Sequence, residues 1–289
     1  MTVREKGYFH WEGTLRERRF AWWPITRLGL RLAFKRKGFK FLYFGAFVPA
    51  VVFLVGIYIS ERIGEFRYMI RGSSQIIEVN PAFFKTYYTS DFLLFMMVML
   101  MVVGGAGLVA DDLRHNALQL YFSRPLEKRD YLAGKASVLV VLLLSLTLLP
   151  GLAFILFKLL FSGSFRFIAA YPWIILSVMA YSAAVTAFFC LYTLLLSSLS
   201  RNRRYVSILL FAIYLVSDIL FGIFYGNFRN PAFALLSLKA NLQQAGAFLF
   251  RQKPPFDVPA GWSILVLAAA GAAAWVVVNR RVRSVEVVK

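Results

Sequence analysis

The sequence predicts an all-α polytopic membrane protein with six transmembrane helices, and three observations carry that prediction. Hydrophobic residues make up 60% of the chain and charged residues only 16%, where soluble domains carry about 25% charge. The apolar residues fall in blocks of about 20, the length a helix needs to cross about 30 Å of hydrocarbon. The excess of base, 33 Lys and Arg against 14 Asp and Glu for a net charge of +19, is concentrated between alternate blocks.

Taken in order, residues 1–40 form a basic segment without an apolar core of signal-peptide type, so no cleavable leader is expected. After Trp22 and Trp23, a helix begun at Pro24 stacks Arg27, Arg31 and Lys35 on one line and Ile25, Leu28 and Leu32 on the next. That pattern suits a helix lying on an anionic inner leaflet; a merely solvated basic stretch is the alternative. Spans are expected at 41–60, 92–110, 137–157, 172–199, 205–226 and 262–278, forming one domain over 41–278 with a basic tail at 279–289. Pro49 and Pro150 loosen the first and third spans. Gly104, Gly105 and Gly107, then Ser177, Ala180 and Ala184, and the alanines around Gly271 permit close helix approach.

Orientation follows from the basic residues. The segments 1–40, 111–136, 200–204 and 279–289 hold 23 Lys and Arg, while the alternate connections, of similar total length, hold 10. The positive-inside rule therefore puts both termini in the cytoplasm. Tyr87, Tyr88, Tyr171, Trp173, Tyr205, Tyr225 and Trp262 near the span ends suit interfacial belts. On the external side, Leu235, Leu238, Leu242, Ala245 and Leu249 keep helical spacing while Ser237, Asn241, Gln243 and Gln244 point elsewhere, an amphipathic helix closed by Pro254 and Pro255.

The connection between the second and third spans is the most informative. From Asp111 and Asp112, a helical face of Leu113, Ala117, Leu120 and Tyr121 carries the second span past the membrane until Ser123 and Pro125 interrupt it. A new helix can start at Pro125, with Glu127 near its positive end. The result is a helical elbow bearing Arg124, Lys128 and Arg129 beside Asp130 and Tyr131.

Within this elbow, Asp112-Leu113-Arg114, Leu118, Ser123-Arg124-Pro125 and the run from Asp130 through Tyr131, Leu132 and Ala133 to Gly134-Lys135 resemble the first cytoplasmic loop of ABC-2 type transporter permeases. The C-terminal run from Arg281 to Val288 is similar to the tail of some bacterial members. Where many members have a glycine after the acidic pair, this chain has Asn116. The resemblance implies a non-catalytic permease subunit, an exporter by family habit, in the bacterial plasma (inner) membrane. Its partners would be a separate ATP-binding cassette ATPase, which binds the ATP and Mg, and a second permease chain; no cofactor is expected in this chain. By position the coupling contacts would be Tyr121, Arg124, Pro125 and Arg129, with Asp112 at the start of the elbow and Gly134 and Lys135 at its end. A loop packed only against its own N-terminal helix is the alternative.

Other chemistries find little support. No G-x-x-x-x-G-K-[ST] occurs, since the residue required upstream of Gly134-Lys135 is Arg129 and Ala136 follows. His10 and His115 are the only histidines, and both fall outside the expected spans; Cys190 is the only cysteine, which excludes internal disulfides and cysteine metal sites. The basic residues follow membrane topology, so no nucleic-acid partner is expected. Asp218 is the one acidic residue expected within hydrocarbon. It is a candidate intramembrane polar site, or else a carboxylate near the outer interface, hydrated or bonded to a neighbouring helix. An ion-gradient-driven carrier or channel, and a membrane scaffold that recruits a partner through its basic N-terminus, stand as alternatives to the permease.

Overall fold

A computed structural model describes residues 20–62, 78–122 and 126–282. Every regular element among them is helical. Helix α1 (Trp23–Lys35) carries Pro24 in its first turn, where the missing N–H costs nothing. Arg36 is extended and turns the chain into α2 (Lys37–Gly45) and α3 (Val48–Glu61), which together make the first span. The second span joins α4 (Pro81–Tyr88), α5 (Asp91–Leu100), a π-helical turn at Met101–Gly105 and α6 (Gly107–Arg114). After the short α7 (Ala117–Phe122), α8 (Lys128–Ser162) is the third span. A short α9 (Arg166–Ala170) leads to α10 (Ile174–Leu199) and α11 (Arg203–Phe228), the fourth and fifth spans. A 3₁₀ turn at Pro231–Leu236 and α12 (Leu238–Leu249) precede the sixth span, α13 (Ala260–Arg281).

All six expected spans are present, and all but the fourth are longer than hydropathy alone implied. Spans two, three and four each bury 56% of their most apolar window, whereas one, five and six bury 17%. The first three are therefore the core, and the others present apolar side chains such as Val51, Ile208 and Leu265 outward, as lipid-facing helices do.

Both central breaks in this core have visible causes. Pro150 in α8 has no N–H, so the Leu146 carbonyl loses its intrahelical donor. The Tyr87 hydroxyl donates to that carbonyl at 2.8 Å, and Tyr88 donates to Thr147 O at 2.8 Å. Both tyrosines are fully buried, which corrects their expected place in an interfacial belt: the proline recruits them inward. In the second span the π turn displaces its carbonyls from the ladder. Ser207 donates to Val102 O at 3.1 Å, and Arg36 and Arg203 both donate to Val103 O. Gly104 and Gly105 are needed here, because a Cβ would come within 2.6 Å of the Phe39 ring and 2.7 Å of Thr193 Cγ2.

On α1 the buried face is Ile25, Thr26 and Ala33, while Leu28 and Leu32 are half exposed. Two further expectations are corrected. Helix α12 ends at Leu249, before Pro254, as Arg251 enters the left-handed region at φ 52°. Its polar side is not turned to water: Asn241 and Gln244 are buried, their amides donating to the Leu235, Ser237, Phe256 and Val258 carbonyls of the flanking loops.

Candidate functional site

The elbow is built by two interruptions and one knot of side chains. Helix α6 ends because Asn116 adopts φ 52°, a conformation open to glycine and, at low cost, to asparagine. Asn116 thus allows the reversal of the chain, and the expected continuous helix to Tyr121 is broken there. His115, exposed, closes the turn through Nδ1 against Asp111 O at 2.8 Å. The third span begins at Lys128 rather than Pro125, because Glu127 is its N-cap: the Glu127 carboxylate accepts from the backbone at Asp130, and the Asp130 carboxylate accepts from Glu127 N at 3.4 Å.

Between these stems, Asp112 at the end of span two and Lys135 at the start of span three form an ion pair of 2.6 Å, with side chains 15% and 11% exposed. The Tyr131 hydroxyl donates to the same Asp112 Oδ2 at 2.7 Å. The Tyr121 and Tyr131 rings lie 5.3 Å apart, and the Lys135 ammonium sits over both, 5.9 and 5.6 Å from their centroids. Burial pushes the Tyr121 phenol up, and the Asp112 charge adds to it. Tyr121 is therefore turned into the knot, while Arg129 and Arg114 are exposed on the outer surface of the elbow. Arg124 and Pro125 lie outside the described residues, as does the tail beyond 282.

The N-terminal helix is joined to the same place. Thr26 donates to Gly134 O at 3.1 Å, and a Cβ on Gly134 would fall 2.8 Å from Ile25 Cβ and 3.0 Å from Trp22 O. Only glycine lets α1 approach span three this closely. On the same face, Lys128 donates to Asn279 O at the end of span six. A cavity of about 240 Å³ between α1 and span two is lined by Arg36, Asp111, Asp112, Tyr121, Lys135 and Arg203 among others.

Asp218 lies at the other end of the molecule's polar architecture, 15 residues into span five or about 22 Å along it. Its Oδ2 is 2.7 Å from Lys239 Nζ, and Oδ1 accepts from Ser237 Oγ at 2.9 Å. Lys239 is also 3.6 Å from Asp91, whose carboxylate accepts from Gln243 at 2.9 Å. Burial pulls the Lys239 ammonium down, but its bond to Asp218 and the charges of Asp218 and Asp91 outweigh that, so its pKa is raised. This carboxylate ties span five to α12, a partner the sequence did not single out, although Lys239 and Ser237 stand in the amphipathic segment facing it.

The elbow that joins spans two and three is thus clamped at its base, with Arg114 and Arg129 exposed on its stems, in a six-span helical bundle. A family model described as "ABC-2 family transporter protein" matches residues 21–256, from the start of the N-terminal helix to beyond α12. The chain belongs to the ABC-2 transporter family. As a member it is a multi-pass membrane protein of the type that forms the membrane subunit of an ABC transporter. Comparison with curated proteins gives no match.

Proposed function

We propose that this ABC-2 family chain couples ATP hydrolysis by a separate ATP-binding cassette subunit to export, with the elbow of residues 112–135 as the coupling element. The reading is supported above all by the Asp112–Lys135–Tyr131 knot. A lever transmits force only if its base is rigid, and here one carboxylate ties the end of span two to the start of span three. Displacement of the elbow would then reach two of the three core spans together, as well as α1 through Thr26 and Gly134.

In this arrangement the face carrying α1, the elbow and Arg281 is cytoplasmic, in a bacterial plasma membrane, and α1 lies against the inner leaflet with Leu28 and Leu32 in lipid. Arg129, exposed beside the capping box, contacts the ATPase together with Arg124 and Pro125, while Tyr121 steadies the elbow from within the knot. ATP and Mg bind in that partner. A second permease chain completes the translocation unit, and the segment 233–250 covers the external exit. The ion pair of Asp218 with Lys239 supports a structural tie at this exit over an ion relay.

An Arg129→Glu exchange tests the contact. Reversing a charge at an interface places like against like, and we expect at least about a tenfold loss of co-purifying ATPase subunit and of transport-linked ATP hydrolysis, with membrane insertion unchanged. Undiminished co-purification and hydrolysis would contradict the assignment.

A further inference from the structure

Two adjoining cavities on the far side from the elbow form one groove. The larger, of about 600 Å³, lies between spans four and six beneath α12, with Ala184, Phe188, Ala268 and Trp275 among its walls. It falls within the volume range of about 300–1,000 Å³ typical of ligand sites. Small residues create it: Ala180, Ala184 and Ala187 face Ala268, Gly271 and Ala272 across the gap. Of the two polar side chains among its lining residues, Tyr181 has its hydroxyl already committed to the Tyr88 and Leu242 carbonyls, which leaves the Trp275 indole N–H. Such a space offers water few partners.

The smaller cavity, of about 320 Å³, shares Ala180 and Leu249 with the first and extends it to the chain turn after α12. Its end is cationic. Arg251 lies over the Trp173 ring at 4.8 Å and is exposed. A cation–π contact uses none of the guanidinium N–H donors as a hydrogen bond, so the fork that suits a phosphate stays available. Among the described residues no carboxylate pairs with Arg251.

We propose that this groove is a binding site for one glycerophospholipid of the external leaflet, an acyl chain lying between spans four and six and the phosphate held by Arg251. The match is one of charge and polarity along a single line: an apolar slot open between two membrane spans, ending in a cation that no carboxylate of the described residues pairs, beside a tryptophan of the kind found at membrane interfaces. The assignment is independent of the elbow and of any ATPase partner.

The test is native mass spectrometry of the purified full chain, with any subunits it retains, titrated in detergent with dioleoyl phosphatidylglycerol and, in parallel, dioleoylglycerol, which lacks the phosphate. The wild type should retain the phospholipid, at least about tenfold better than the diacylglycerol, as charge-assisted contacts to phosphate imply. Arg251→Gln should abolish that preference. The double exchange Ala184→Phe with Ala268→Phe, at positions exposed to the void, should abolish retention of both lipids, while Leu265→Phe on the outer face of span six should change nothing. Equal retention by the wild type and the filled double variant overturns the site. So does retention of both lipids without preference, or a cross-link between two copies formed through cysteines at 184 and 268, which would make the groove a self-interface.

Discussion

Replacing Lys135 by Met should leave the chain in the membrane but disable the elbow. The exchange keeps most of the side-chain volume over Tyr121 and Tyr131 and removes the charge that Asp112 faces at 2.6 Å. Stranding one member of a buried pair costs about 3–5 kcal/mol, and the 15% exposure of Asp112 puts this case toward the lower end. The Tyr131 hydroxyl still donates to the carboxylate, so local structure survives while the clamp between spans two and three is lost. The expected result is near-complete loss of transport-linked ATPase activity at wild-type expression. The exchange of both residues, Asp112→Lys with Lys135→Asp, should restore a measurable part of it, because the attraction is symmetric although the Tyr131 bond is not. If Lys135→Met and the exchanged pair are equally inactive, the charge pair is not what the lever needs.

Enlarging Gly151 should be among the most damaging single changes in the bundle. A Cβ there would lie 1.9 Å from the Tyr88 hydroxyl and 2.8 Å from Val178 Cγ1. Tyr88 is fully buried between Tyr181 and Phe250, so its ring has no room to yield. Gly151→Ala therefore forces the hydroxyl off Thr147 O, adding an overpacking cost of about 1–3 kcal/mol to that of a stranded buried hydroxyl donor, about 1–3 kcal/mol. Thermal unfolding in detergent should show the loss. Tyr88→Phe removes the clashing oxygen, so in the Gly151→Ala background it should be neutral or stabilising, whereas alone it should destabilise. Additive effects of the two exchanges would mean that the close approach is not the cause.

These cases show where the sequence was legible and where it was not. The six spans could be read because each is a hydrophobic run of membrane length, a property of the chain alone. The elbow could be read in outline for the same reason, since Asp112, Gly134 and Lys135 mark the ends of two runs. Its internal geometry could not, because Asn116 is compatible with both a helix and the left-handed turn it adopts, and only the packing of Tyr121 on Tyr131 decides between them. Tyr87 and Tyr88 read as interfacial residues, but Pro150 leaves a carbonyl without a donor deep in span three and a tyrosine supplies it. The signal was present in Pro150 and Gly151; the partner is 59 residues away, which no local pattern reveals. Asn241 and Gln244 were misplaced likewise, because the loops whose carbonyls they cap fold back over α12.

The central claim is that the exposed surface of the elbow touches an ATP-hydrolysing subunit. Photo-cross-linking from a reactive residue at position 129, in native membranes, tests it most directly. We predict a single major adduct with a protein that carries a G-x-x-x-x-G-K-[ST] motif, formed at 129 and absent when the reactive residue is placed at the lipid-facing Leu265. Adducts confined to this chain's own N-terminal helix would contradict the account, and would identify the elbow as a loop packed only on itself.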